Sequence, residues 1–191
     1  DGDGIVTTNF SSGDDVVYDI VVHPVLNWIL AVGTSSIPFN NNFGLARYMP
    51  DGSLDPSFGS GGLVTTELGS NSDIIFGAEL DGNGRVVVAG QTGVFSAADF
   101  ALARYNDDGS LDTSFNFGGI VVTDFNNGAF DFARDVAVQA TGEIVVAGSS
   151  GDFIGYDYAL ARYDAAGALD PTFASGGQLL FDLGSDSESG T

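Results

Sequence analysis

The chain of 191 residues carries 26 acidic against 5 basic side chains, a formal net charge of −21, 43% hydrophobic residues and no cysteine. That balance excludes the positive face needed by nucleic acid or an anionic membrane surface, and the missing thiol excludes a disulfide framework, a cysteine nucleophile and Cys-based zinc. No apolar stretch approaches a membrane span, and the Val, Ile, Leu, Phe and Tyr bias suits pleated sheets.

Read in chain order, residues 1–10 pass from Asp1-Gly2-Asp3-Gly4 into a strand-like run, Ile5-Val6-Thr7-Thr8-Asn9-Phe10. The same strand type returns at 63–68, 120–125 and 178–183, so it occurs four times while every other type occurs three times. Residues 1–10 are therefore a leading, surplus strand with the character of an exchange strand. Three repeat units follow, over 11–68, 69–125 and 126–184, and 185–191 form a polar tail. The phase is set by Leu45-Ala46-Arg47-Tyr48, which recurs as Leu102-Ala103-Arg104-Tyr105 and Leu160-Ala161-Arg162-Tyr163. A second mark, Asp51-Gly52-Ser53-Leu54-Asp55-Pro56-Ser57-Phe58, has counterparts ending at Phe115 and Phe173, and a third ends at Gly33, Gly90 and Gly148.

Each unit holds about four strand-like runs; in the third they cover 134–139, 143–149, 157–163 and 178–183. Val136 and Val138 alternate with Asp135 and Ala137, and the turns Asp81-Gly82-Asn83-Gly84 and Ala140-Thr141-Gly142 suit positive φ angles. No sustained 3.6-residue apolar period occurs. The expected fold is all-β: a β-propeller-like array of three four-stranded antiparallel blades plus one extra strand. Three blades are too few to close a ring, so surface outside this chain must cover the end faces, supplied by a longer protein of which it is part, by copies completing a ring, or by blades passed along a filament; the surplus strand favours other copies of the chain as the partner, in an oligomer or filament.

Arg47, Arg104 and Arg162 are expected to brace blades from within, paired with Asp55, Asp112 and Asp170 or with Asp99 and Asp157. The Asp of each phrase also caps the turn before Phe58, Phe115 and Phe173, whose rings plug gaps between blades. Aromatics in the variable loops, Phe39, Phe95, Phe153 and Tyr156, are candidates for contact with a glycan or a neighbouring subunit, or else pack locally. Unit one replaces its hairpin turn with His23-Pro24-Val25-Leu26-Asn27-Trp28, which places the sole His and Trp at a candidate subunit or partner interface, with local packing as the other reading. The metal candidates are Asp1, Asp3, Asp108 and Asp112; none completes an EF-hand spacing, and ordinary Asp-Gly turns account for them equally. No cofactor is demanded, and Ca²⁺ is the one the acidic surface suits. With one His, no Cys and no Lys, no catalytic arrangement assembles, so the expectation is not an enzyme.

The run LARYNDDGSLDTSF, followed by GGIVVTDF, DVAVQATGEIVVAG and DYALARYD, closely resembles the delta-60 repeat family of bacterial surface and secreted proteins. The resemblance covers nearly the whole chain. It implies a propeller-forming repeat located outside the cell or on its surface, and it supplies no catalytic motif. The expected role is a structural subunit of an appendage, fibre or matrix; a glycan- or protein-binding propeller module of a larger adhesin is the alternative.

Overall fold

Two strands of β-branched residues joined by a short turn pair as a hairpin, and each repeat extends that hairpin by two strands. In the computed structural model, which describes residues 4–37, 40–69, 72–94, 97–125, 130–152 and 155–182, this produces three four-stranded antiparallel sheets. The first contains β1 (Val16–Val22), β2 (Ile29–Ile37), β3 (Asn40–Tyr48) and β4 (Leu63–Thr66). The second contains β5 (Ile74–Leu80), β6 (Val86–Thr92), β7 (Asp99–Tyr105) and β8 (Ile120–Thr123). The third contains β9 (Phe130–Val138), β10 (Ile144–Gly151), β11 (Tyr156–Tyr163) and β12 (Gln178–Phe181). In every sheet the strands lie side by side in chain order, which is the meander of a propeller blade. β9 begins at Phe130, four residues before the run expected from Arg134, because its ladder to β10 continues past a bulge.

The same irregularity recurs in each first strand. Register shifts fall at Tyr18, Phe76 and Arg134, where one residue of the first strand is left without a partner in the second. This explains the third mark of the repeat. A Cβ on Gly33, Gly90 or Gly148 would run into the carbonyl oxygen of Val16, Ile74 or Phe132, which the bulge folds over the second strand. The bulged side chains also stack from sheet to sheet: the Tyr18 and Phe76 rings are 5.1 Å apart, and the Arg134 guanidinium lies 4.7 Å from the centre of Phe76.

The sheets pack face to face in sequence, β5 against β1, β2 and β3, and β9 against β5, β6 and β7. Because side chains alternate, the middle sheet contributes to two cores at once. Val86 and Val88 join Leu30, Val32, Phe43 and Leu45 of the first sheet. Val87 and Ala89 join Ile144 and Val146 of the third. As a result β6 is buried along its whole length, and at about 25 cal/mol per Å² of apolar surface this double burial is the main stabilisation of the array. Among the described residues no helix is long and apolar enough to cross a membrane.

Among the described residues the leading segment forms no ladder of its own, yet it takes up the contacts of a fourth outer strand. Thr8 Oγ1 receives a 2.8 Å hydrogen bond from the Tyr48 hydroxyl, as Thr66 does from Tyr105 and Thr123 from Tyr163. The Phe10 amide donates to Asp15 Oδ2, as Leu68 donates to Asp73 and Phe125 to Asp131. It is the extra strand of the array, lying on the face where a preceding blade would stand. A cavity lined by Val6, Thr8, Phe10, Val17, Ala31 and Tyr48 separates it from the first sheet.

Candidate functional site

The Leu-Ala-Arg-Tyr phrase is one strand seen from two sides. In β3, Leu45 joins the core shared with the second sheet and Arg47 reaches that sheet's turn, while Tyr48 turns the other way and bonds Thr8. β7 repeats the arrangement one sheet on: Leu102 joins the core shared with the third sheet, whereas Tyr105 bonds Thr66 behind it. Four consecutive residues thereby connect three successive blades, with a period of two residues.

Arg47 is buried, 4% exposed, and its guanidinium donates to acceptors on two sheets. Nε donates to Asp55 Oδ2 at 2.8 Å, Nη2 to Ser57 Oγ at 3.1 Å, and Nη1 crosses to the next sheet, to the Asp107 carbonyl at 2.6 Å and Asp107 Oδ1 at 2.8 Å. The guanidinium stacks on Phe58 at 4.6 Å. Arg104 repeats this with Asp112 at 2.9 Å, the Ala165 carbonyl at 2.7 Å and Phe115 at 4.5 Å. The partners are thus the Asp residues eight positions on, and Asp99 and Asp157 take no part. Burial pushes Asp55 upward, but hydrogen bonds from Ser57 and the charge of Arg47 outweigh it, so the carboxyl is held below the usual range. Asp112 is lowered against its burial in the same way by Ser114 and Arg104.

The plug residues seat on the following blade. A Cβ on Gly167, which has φ +89°, would stand 2.7 Å from the Phe115 ring, and one on Gly109 would stand 3.2 Å from Phe58. Only glycine admits both that backbone and that close approach. The corresponding Gly52 meets Val6 of the leading segment instead. At the other end Phe173 lies beneath Arg162 at 4.9 Å, Arg162 Nε donates to Asp170 at 2.8 Å, and among the described residues no carbonyl of a further sheet meets its Nη1.

The two end faces differ from the internal ones at matched positions. Val17 and Ile20 are each 60% exposed, whereas Ile75 and Ala78, which hold the same places in the second sheet, are 0% and 9% exposed. On the far side of the third sheet, Tyr158 and Phe181 are 59% and 54% exposed, where Phe100 and Thr123 of the second sheet are buried.

Several expected site residues are placed differently. Trp28 is buried in the first core and lies beneath Arg47 at 5.3 Å, so it is not an exposed interface residue; the aromatic surface is better covered by packing than by water. His23 tilts against it at 4.9 Å and accepts the Val25 and Leu26 amides at Nδ1. The exposed apolar residues of that turn are Val25 and Leu26. Tyr156 is half exposed and lies near the rings of Phe130 and Phe132. Phe39, Phe95, Phe153, Asp1 and Asp3 lie outside the described residues. Asp108 is engaged by Ser110, and Asp112 by Arg104 and Arg85 at 2.9 and 2.8 Å.

The carboxylates that do converge were not singled out by motif. Asp99, Asp124 and Asp131 place ligand oxygens within 4.8 Å of one another. Burial, with the charges of Asp124 and Asp131, pushes Asp99 up; burial also raises Asp131, with Asp124 adding to it. Asp99 and Asp124 flank one end of the β7–β8 ladder, where Phe100 pairs with Thr123, and Asp131 joins them when the third sheet docks on the second, so strand register was the signal that could have joined the three.

No curated protein matches the chain. A family model described as a domain of unknown function (DUF5122) β-propeller matches residues 27–58, 82–115 and 139–173. Each matched stretch runs from the first hairpin through the Leu-Ala-Arg-Tyr strand to the plug phenylalanine, and together they cover more than half of the sequence. With three meander sheets stacked in order and a repeat model on each, the chain belongs to this β-propeller family.

Proposed function

We propose that the chain is a non-enzymatic structural module of the cell exterior that assembles by adding blade to blade. The observation behind this reading is the pair of exposed apolar end faces, whose matched residues are buried wherever another sheet covers them. The internal joints supply the geometry of an external one. In a head-to-tail contact Phe173 of one copy seats on Gly52 of the next, and Arg162 Nη1 donates to the carbonyl of Pro50, the position equivalent to Asp107 and Ala165. The leading segment occupies the place of the incoming outer strand, so docking displaces it and frees it to pair with another sheet edge, which is strand exchange. An extracellular setting follows from the delta-60 resemblance and from a charge that is tolerated best in salty or calcium-bearing water.

Light scattering coupled to size exclusion tests this, using the full chain over a range of concentrations at moderate salt. The expected result is a mass above that of one chain, falling to a single chain in Val17→Asp/Ile20→Asp, whose added charges face the joint and leave both internal cores unchanged. A folded, single-chain species at every concentration would overturn the proposal.

A further inference from the structure

We propose that Asp99, Asp124 and Asp131 form a Ca²⁺ site that clips the second sheet to the third. Asp99 opens β7, Asp124 follows β8, and Asp131 lies in β9, so an ion held by all three would tie both sheets at one point. Their oxygens lie within 4.8 Å of one another. That is the greatest separation two oxygens reach when each is about 2.4 Å from a common Ca²⁺, and a set made only of oxygens suits this ion.

A second observation points to the same place. Asp131 is 0% exposed; its Oδ2 accepts the Phe125 amide at 2.8 Å, but Oδ1 has no hydrogen-bond partner. Ser150, directly opposite Asp131 in the β9–β10 ladder, lies near enough to its carboxyl to draw it down somewhat against burial, yet neither its hydroxyl nor Asp131 Oδ1 completes a well-formed hydrogen bond. The second sheet closes the equivalent site internally, with Thr92 Oγ1 donating to Asp73 Oδ1 at 2.6 Å. A buried carboxylate oxygen left open beside two further carboxylates is a strong demand for a cation. None of the ion pairs among the described residues reaches the three. The joint between the first and second sheets differs, because Asn42 stands in the ladder position of Asp99 and removes one of the three charges.

The site lies within one chain and stands whether or not copies assemble. Calorimetric titration of the chelator-stripped full chain with CaCl₂, in about 0.15 M KCl to screen the diffuse acidic surface, reads it directly. One saturable site per chain is expected, weakened at least tenfold in Asp99→Asn and in Asp124→Asn and kept in Asp14→Asn, an exposed acid elsewhere. Asp124 is exposed, so its variant folds even if Asp99→Asn does not, and circular dichroism confirms it. Absence of a saturable site in the wild type, or equal binding by wild type and Asp124→Asn, would overturn the assignment.

Discussion

Replacing Arg104 with Ala separates an interblade strut from a local turn clamp. The substitution removes a hydrogen bond to the Ala165 carbonyl of the next sheet, stacking on Phe115, and one of two cations on Asp112. Removing one partner of a buried pair costs about 3–5 kcal/mol, chiefly by stranding the other charge. Arg85 still holds Asp112 Oδ2 at 2.8 Å, which places Arg104→Ala near the lower end, about 3 kcal/mol, or a fall of about 6–12 °C in melting temperature for a domain of this size. Arg162→Ala removes the same local contacts with Asp170 and Thr172 but no bond to a further sheet. Its pair is also more open, with side chains 26% and 13% exposed, so solvent screens it and the cost is much smaller. Urea denaturation is the assay, since guanidinium would screen the ion pairs, performed where light scattering shows single chains. Equal losses in the two variants would refute the strut. Under conditions of assembly the gap should narrow, because Arg162 then gains the acceptor that Arg104 already has.

Two further outcomes can be measured. Without Ca²⁺, stability should first rise as pH falls from neutrality. Asp99 and Asp131 have folded values above the ordinary carboxylate value of 3.8, so the folded state takes up their protons first; the gain develops as pH drops through those raised values and is complete below 3.8. Asp55 and Asp112 are shifted the opposite way, so their contribution is present above 3.8 and is lost as pH drops further through their lowered folded values. Melting curves against pH should show this maximum, and Asp99→Asn should flatten its neutral side; an unchanged profile in that variant would contradict it. Ala174 holds φ +43°, where the preceding units place Gly59 and Asn116. Ala174→Gly should stabilise by about 0.5–1 kcal/mol, the left-handed strain relieved less the added freedom of the unfolded chain, and a lower urea midpoint would refute it.

How legible the molecule was can be followed through particular residues. Leu45, Arg47 and Tyr48 could be recognised as a recurring phrase because a repeat must present the same contacts to each neighbour, and two-residue alternation gave the strands. The pairing of Arg47 with Asp55 was legible because the partners are close in sequence. The burial of Trp28 was not, since its apolar surroundings come from the stacked sheets. Nor were the bulges at Tyr18, Phe76 and Arg134, which depend on register rather than residue type.

The sequence by itself determined the repeat, the strand character, the glycine positions and the acidic surface, because these follow from local backbone preference and composition. Only the tertiary structure decided which side of each strand meets which neighbour, which apolar residues stay uncovered at the ends, and that Asp99, Asp124 and Asp131 share one point. These depend on how one sheet is laid on the next, and in a stacked array that placement is fixed by contacts between residues about sixty positions apart, such as Arg47 and Asp107.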